Sequence, residues 1–159
     1  KNAERFAEYI AAIQRDGDSI GGIVECVITG LPMGVGEPIF DKLQSHLAFA
    51  MMSINGCKGF EYGSGFEGVE LRGSEIYLSE NQTLISGGIA GGISDGTPVV
   101  FRCVFKPTAS NRKTFEAIKQ DGDEAKSKSV GRHDACIAVR AVAVVEAMAA
   151  LVLQDIFSV

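Results

Sequence analysis

Three short segments carry residue types that could do chemistry. Lys106-Pro107-Thr108-Ala109-Ser110 gathers an ammonium, two hydroxyls and several backbone N–H groups within five residues. That combination suits a phosphate, and it equally suits a proline-terminated strand end with ordinary surface polar groups. Gly131-Arg132-His133-Asp134-Ala135-Cys136 stands just before a long apolar run. Arg132 could pair bidentately with a carboxylate or phosphate, and Asp134 could be a base held near that anion. The plainer alternative is a helix capped by Asp134 beside a solvated arginine. A thiol catalyst made of Cys136 and His133 lacks a third group to orient it. His46, the other histidine, falls on the polar side of its helix and is expected at the surface.

The third segment is the glycine-rich run from Ser86 to Gly96, where the absence of side chains lets backbone N–H groups approach a planar ring or an anion. No Gly-Lys-Ser/Thr follows it, and no G-x-G-x-x-G opens a helix after a strand, so neither nucleotide-loop pattern applies. Tight turns and close packing are the competing explanation.

Composition narrows what these segments could serve. With 159 residues, 46% of them hydrophobic, the chain can bury a real core, and one domain over 1–159 is expected. A formal charge of −5, with no basic stretch interleaved with aromatics, argues against a nucleic-acid partner and leaves an anionic small molecule open. Cys26, Cys57, Cys103 and Cys136 are far apart, with no zinc-type spacing, and read as free, mostly buried thiols in a reducing, cytoplasmic compartment. No metal site is expected. The opening Lys1-Asn2-Ala3-Glu4-Arg5 is unlike an initiator methionine or a signal peptide, and suggests a piece of something longer.

The elements that must position the three segments follow from periodicity. Phe6, Tyr9, Ile10 and Ile13 mark an amphipathic helix ending at Asp16-Gly17-Asp18. From Ile20 to Thr29, Val24, Cys26 and Ile28 alternate with Ile23 and Val27, as in a strand buried on one face. A second helix is predicted from Pro38, with Phe40, Leu43, Leu47, Ala50, Met51 and Ile54 in register, ending near Asn55-Gly56. Glycines flanking Val69-Glu70-Leu71-Arg72 suggest a hairpin, and Gly73 to Thr83 a loop. Val99, Phe101, Cys103 and Phe105 alternate with Val100, Arg102 and Val104 in a second strand. Residues Lys106 to Gly131 read as loop with a short helical turn. The last element, Ile137 to Phe157, is apolar nearly all round; Arg140 and Glu146 interrupt it, so a core helix between two layers is favoured over a membrane span. The sum is an α+β fold with an antiparallel sheet packed on long buried helices.

Several unrelated signatures then occur together in one order: Gly17-Asp18-Ser19-Ile20-Gly21-Gly22, Gly36-Glu37-Pro38-Ile39-Phe40-Asp41-Lys42-Leu43, and Met52-Ser53-Ile54-Asn55-Gly56-Cys57-Lys58-Gly59-Phe60-Glu61. The glycine run, Phe105-Lys106-Pro107-Thr108, and Gly131-Arg132-His133-Asp134 leading to Val144-Val145-Glu146-Ala147-Met148-Ala149-Ala150 continue the series. In this the chain resembles the chorismate synthase family over essentially its whole length. The resemblance implies half of a duplicated β-α-β sandwich, namely the carboxy-terminal half, in a family of homotetramers associated with FMN and NADP. It implies an anti-1,4-elimination: 5-enolpyruvylshikimate 3-phosphate loses phosphate and a ring proton to give chorismate, in the shikimate route to aromatic amino acids, with reduced FMN (FMNH2) required.

By position, the family's flavin contacts fall on Asn55, Gly56, Gly91, Lys106, Pro107, Thr108, Ala109, Ser110 and Arg132. Lys106, Thr108 and Ser110 would hold the cofactor phosphate, Arg132 would sit where flavin and anionic substrate meet, and Asp134 matches the family's aspartate thought to assist proton removal. Ala135 replaces a usual proline, Ala109 a common serine, and Leu84-Ile85 the family's polar residues. The family's Gly-Glu-Ser-His-Gly signature, catalytic histidines and several substrate-binding arginines belong to its amino-terminal half and have no equivalent here. Two functions follow. The first is a lyase portion, inactive alone, that needs its amino-terminal half and self-associates through uncovered apolar surface. The second is a degenerate or engineered half serving as a folded binding or structural module, with the glycine run used for packing.

Overall fold

The structure, a computed structural model, describes residues 2–78, 85–118, 120–128 and 133–158. Helix α1 (Asn2–Arg15) ends at Gly17, whose φ of +71° lets the chain turn back. Strand β1 (Gly22–Ile28) follows, then helix α2 (Leu43–Met52) and strand β2 (Cys57–Tyr62). A 3-10 helix (Gly65–Glu70) and the short helix α3 (Gly73–Leu78) come next. Two hairpin strands, β3 (Ile89–Ala90) and β4 (Ile93–Ser94), precede strand β5 (Val99–Phe105). Strands β6 (Thr114–Ile118) and β7 (Glu124–Lys128) form a separate hairpin, and helix α4 (Ala138–Ser158) closes the described chain.

The main sheet is three-stranded and antiparallel, in the order β1-β5-β2. The alternation expected of β5 is realised: Val99, Phe101 and Cys103 are fully buried and Phe105 nearly so. Beside them lie Val24, Cys26 and Ile28 of β1, while Ile23 and Val27 face outward. Onto this inner face α2 sets Leu43, Leu47, Ala50 and Met51, whose three- and four-residue steps present one stripe. Burying each such large side chain contributes about 1.5–3 kcal/mol. The outward face carries a charged row: Arg102 is paired in register with Glu25 and Glu61, and its Nε lies 3.0 Å from Glu61 Oε1.

Helix α4 buries a stripe of small residues, Ala138, Ala141, Val145 and Ala149, which allows close approach to β1. A methyl at Gly22 would meet the Ala138 methyl at 2.7 Å, so the strand also gives way there. The helix is long and apolar enough to cross a membrane by length and composition, yet one face of it packs on the sheet. Its other face leaves Val139, Val142 and Leu151 exposed, so the described residues supply one covering layer where sequence predicted two. The apolar side of α1 is likewise uncovered, with Phe6 69% exposed.

Five sequence expectations are corrected. Pro38 precedes α2 rather than opening it, because the chain from Gly36 to Lys42 loops past the β3–β4 turn, and Ile39 and Phe40 project outward. The helix stops at Met52, three residues before Asn55. The hairpin around Val69 is instead the 3-10 helix, and the following loop begins with α3; Thr83 and Leu84 lie outside the described residues. The expected loop after Lys106 contains the β6–β7 hairpin, whose strands bury no residue fully on either face and therefore carry no apolar alternation.

Candidate functional site

One end of the sheet gathers most of the predicted site. There β1 starts, β5 ends, β2 starts, α2 has just finished and α4 begins. Gly56, with φ +86°, turns the chain from α2 into β2, and its carbonyl accepts the Lys106 N–H at 3.0 Å. Thr108 Oγ1 donates to the Asp134 carbonyl at 2.9 Å, and Ser19 Oγ donates to the Thr108 carbonyl at 2.7 Å. The Ile20 N–H donates to the Ala135 carbonyl at 2.8 Å. The phosphate candidate and the segment before α4, distinct in sequence, are thus one bonded cluster backed by Gly17 to Gly22.

Beside this cluster opens a cleft of about 440 Å³, lined by Asn55, Phe105, Ile137, Arg140, Val144 and Met148 among others. Its walls are largely apolar, with Ser53, Asn55 and Arg140 as polar groups, the usual make-up of a small-molecule site. Arg140 Nη1 lies 3.3 Å from Asp134 Oδ2, which puts the Asp134 carboxylate at the cleft's border. Lys106, Pro107, Ala109 and Ser110 are exposed, leaving the ammonium and the Ser110 hydroxyl presented to solvent. Thr108 is half-buried, and its hydroxyl hydrogen is committed to Asp134, so in this structure it ties the loop down. Arg132 lies outside the described residues.

Gly91 is not brought to this cluster. It stands in the two-residue β3–β4 turn with Gly92, at φ +64° and +105°, a conformation that suits glycine. The Leu43 N–H donates to the Gly92 carbonyl, which fixes that turn at the start of α2, whereas Asn55 follows its end. The ten residues of α2 span roughly 15 Å. Most of the glycine run is explained by packing: a methyl at Gly87 would run into Gly63, one at Gly88 into Pro98, and one at Gly92 into the Lys42 side chain. Gly91 alone in that stretch has nothing within 4 Å among the described residues. The run is closed by Asp95, which accepts from the Thr97 N–H and hydroxyl at 2.9 and 2.6 Å. Burial pushes the Asp95 carboxyl up, but these hydrogen bonds and those from Ser86 outweigh it and hold the group below its usual value.

Cys136 and His133 do not form a reactive pair. The thiol points to the Gly21 carbonyl, while both ring nitrogens of His133 are bonded to backbone oxygens. All four cysteines are free, and burial, followed by the neighbouring Cys57 and Cys26, pushes the Cys103 thiol up to about 12. His46 pairs with Asp41 at 3.3 Å on a partly exposed helix face, as its position suggested. Among the described residues there is no group of three or more His, Cys, Asp and Glu that could hold a metal ion.

Sequence reasoning missed the roles of Arg140 and Ser19, and weighed His133 only as a partner for Cys136. Arg140 was legible as the charge interrupting an apolar helix near its start, and such a residue needs a partner. Ser19 and His133 act through backbone carbonyls, for which no side-chain pattern exists.

The family model described as chorismate synthase matches residues 1–157. The chorismate synthase of Christiangramia forsetii is 51% identical over 160 residues, covering 98% of this chain and 45% of that protein. The chorismate synthase of Synechocystis sp. is 50% identical over 162 residues, covering 96% and 45%. A crystal structure of chorismate synthase superposes with a TM-score of 0.71 at 30% identity, covering 96% of this chain and 41% of the other. The chain spans about 45% of the length of such curated relatives. A match of this extent, in sequence and in fold, makes the chain a member of the chorismate synthase family.

Proposed function

We propose that this chain supplies one wall of a chorismate synthase active site, the wall that holds reduced FMN, in a lyase that eliminates phosphate from 5-enolpyruvylshikimate 3-phosphate. The observation that carries this reading is the convergence of Asn55-Gly56, the Lys106–Ser110 loop and the Asp134–Arg140 pair beside a largely apolar cleft. The donor set fits a flavin mononucleotide: an apolar cleft for a planar ring, a carboxamide for its polar edge, and an exposed ammonium and hydroxyl for its phosphate. When bound, that group supplies the transient electron the elimination needs.

The chain's own residues bind and orient. Lys106 and Ser110 hold the anion from the loop, Thr108 fixes the loop to the segment before α4, and Asn55 orients the ring edge. Asp134, bordered by Arg140, is the carboxylate able to hold or move a proton at the cleft. Arg132 is assigned to the substrate anion by position in the family, and Gly91 to a flavin contact. Gly91's open backbone, at the far end of α2, suits a ligand presented by another copy of the chain, in keeping with a cytoplasmic homotetramer. The family's histidines and remaining arginines would come from an amino-terminal half, so the chain alone turns over no substrate.

A flavin titration tests the reading. The chain is expected to bind FMN weakly, and Lys106→Ala to weaken binding at least tenfold, the order expected for a lost charge-assisted bond. Absence of binding at millimolar FMN would sink it.

A further inference from the structure

We propose that His133 is the positioning residue of the Lys106–Ser110 loop and works with a hydrogen on each ring nitrogen, an inference that rests on reading the loop as an anion-holding segment. Its Nδ1 is bonded to the Ser110 carbonyl at 2.5 Å and its Nε2 to the Asp18 carbonyl at 2.8 Å. A carbonyl oxygen only accepts, so both bonds form only when both nitrogens donate. With a single ring hydrogen, one lone pair would face a carbonyl oxygen at bonding distance, and that tie would be lost.

The two carbonyls are those that matter to the loop. Ser110 is its last residue, and Asp18 precedes Ser19, whose hydroxyl holds the Thr108 carbonyl. The Arg112 N–H extends the same seam by donating to the Gly17 carbonyl at 2.8 Å. Charged side chains on the three segments joined by the ring are Asp16 and Asp18, Lys106, Arg112 and Lys113, and Asp134. Three of them are engaged already, Asp16 with Lys113 at 3.0 Å and Asp134 with Arg140 at 3.3 Å. The Asp18 carboxylate accepts the Ser19 N–H at 2.8 Å. A ring holding both hydrogens therefore clasps the loop from the α1–β1 turn.

The test uses this chain labelled with nitrogen-15, in a His46→Gln background that leaves His133 as the sole histidine. Nitrogen–proton correlations of the ring are expected at both nitrogens in the folded chain. Amide exchange at Arg112 and Ile20 is expected to accelerate about tenfold, relative to amides of β5, in His133→Ala. His133→Asn and His133→Gln, each offering one donor, should recover part of that protection, and they keep the test alive if the alanine variant does not fold. A ring that carries a single hydrogen in the folded chain overturns the inference, as does unchanged Arg112 and Ile20 protection in variants that fold. If these readouts follow expectation while millimolar FMN does not bind, the flavin assignment fails and the positioning of the loop by His133 stands.

Discussion

Thr108 and Asp134, 26 positions apart, are joined by one hydrogen bond of 2.9 Å from the threonine hydroxyl to the aspartate carbonyl. It links the exit of β5 to the entry of α4 and leaves the Asp134 carboxylate for Arg140. Thr108→Val keeps the shape and strands a half-buried acceptor, so a loss of about 1–2 kcal/mol is expected. Thr108→Ser should retain most of that stability. Urea denaturation of the three proteins decides the matter, and equal midpoints for valine and serine would remove the bond's importance.

Gly21 sits where backbone meets backbone. A methyl there would collide with the Phe105 carbonyl and reach the Pro107 ring at 3.2 Å. Gly21→Ala is therefore expected to cost more than about 2 kcal/mol, whereas Gly73→Ala, with nothing near it among the described residues, should be neutral or stabilising. Thermal melts of both variants compare the two directly.

The Cys103 thiol should resist alkylation in the folded chain. Because burial raises it to about 12, from 9.0, the folded state keeps its proton where the unfolded state gives it up. Stability from this group is complete below pH 9 and drains away as pH rises toward 12. Cys103→Val should flatten that alkaline decline, and mass spectrometry after iodoacetamide at pH 8 should find Cys103 unmodified until urea is added.

Asp95 works in the opposite sense. Its hydrogen bonds from Thr97 and Ser86 hold the folded carboxyl below its unfolded value. The stability it brings is present above the unfolded value and is lost as pH falls through the folded one. Asp95→Asn is expected to reduce the acid sensitivity of the fold, seen as a smaller drop in Tm between pH 5 and pH 3.

Strands β1 and β5 and helix α4 were legible because burial on one face writes itself into residue order. The inner row Val99, Phe101, Cys103, Phe105 is that pattern in its plainest form. β7, Glu-Ala-Lys-Ser-Lys, buries nothing on either face, so its pairing with β6 leaves no apolar trace. α3 starts on a glycine and spans six residues, too short for a period to show. Of the site, Lys106 and Asp134 were legible as chemistry and as family signatures. Their joining was not, because Ser19, Thr108 and His133 make it through backbone carbonyls that every residue possesses alike.

The bonds that assemble the cleft's rim connect residues 26, 89 and 115 positions apart. No short stretch of chain can build any part of it in isolation, and each closure costs loop entropy before it returns any contact. The rim therefore exists only once β1, β5 and α4 are all in place. Any molecule that recognises it acts as a gauge of completed folding and stabilises the domain as a whole, by mass action, rather than the loop it touches.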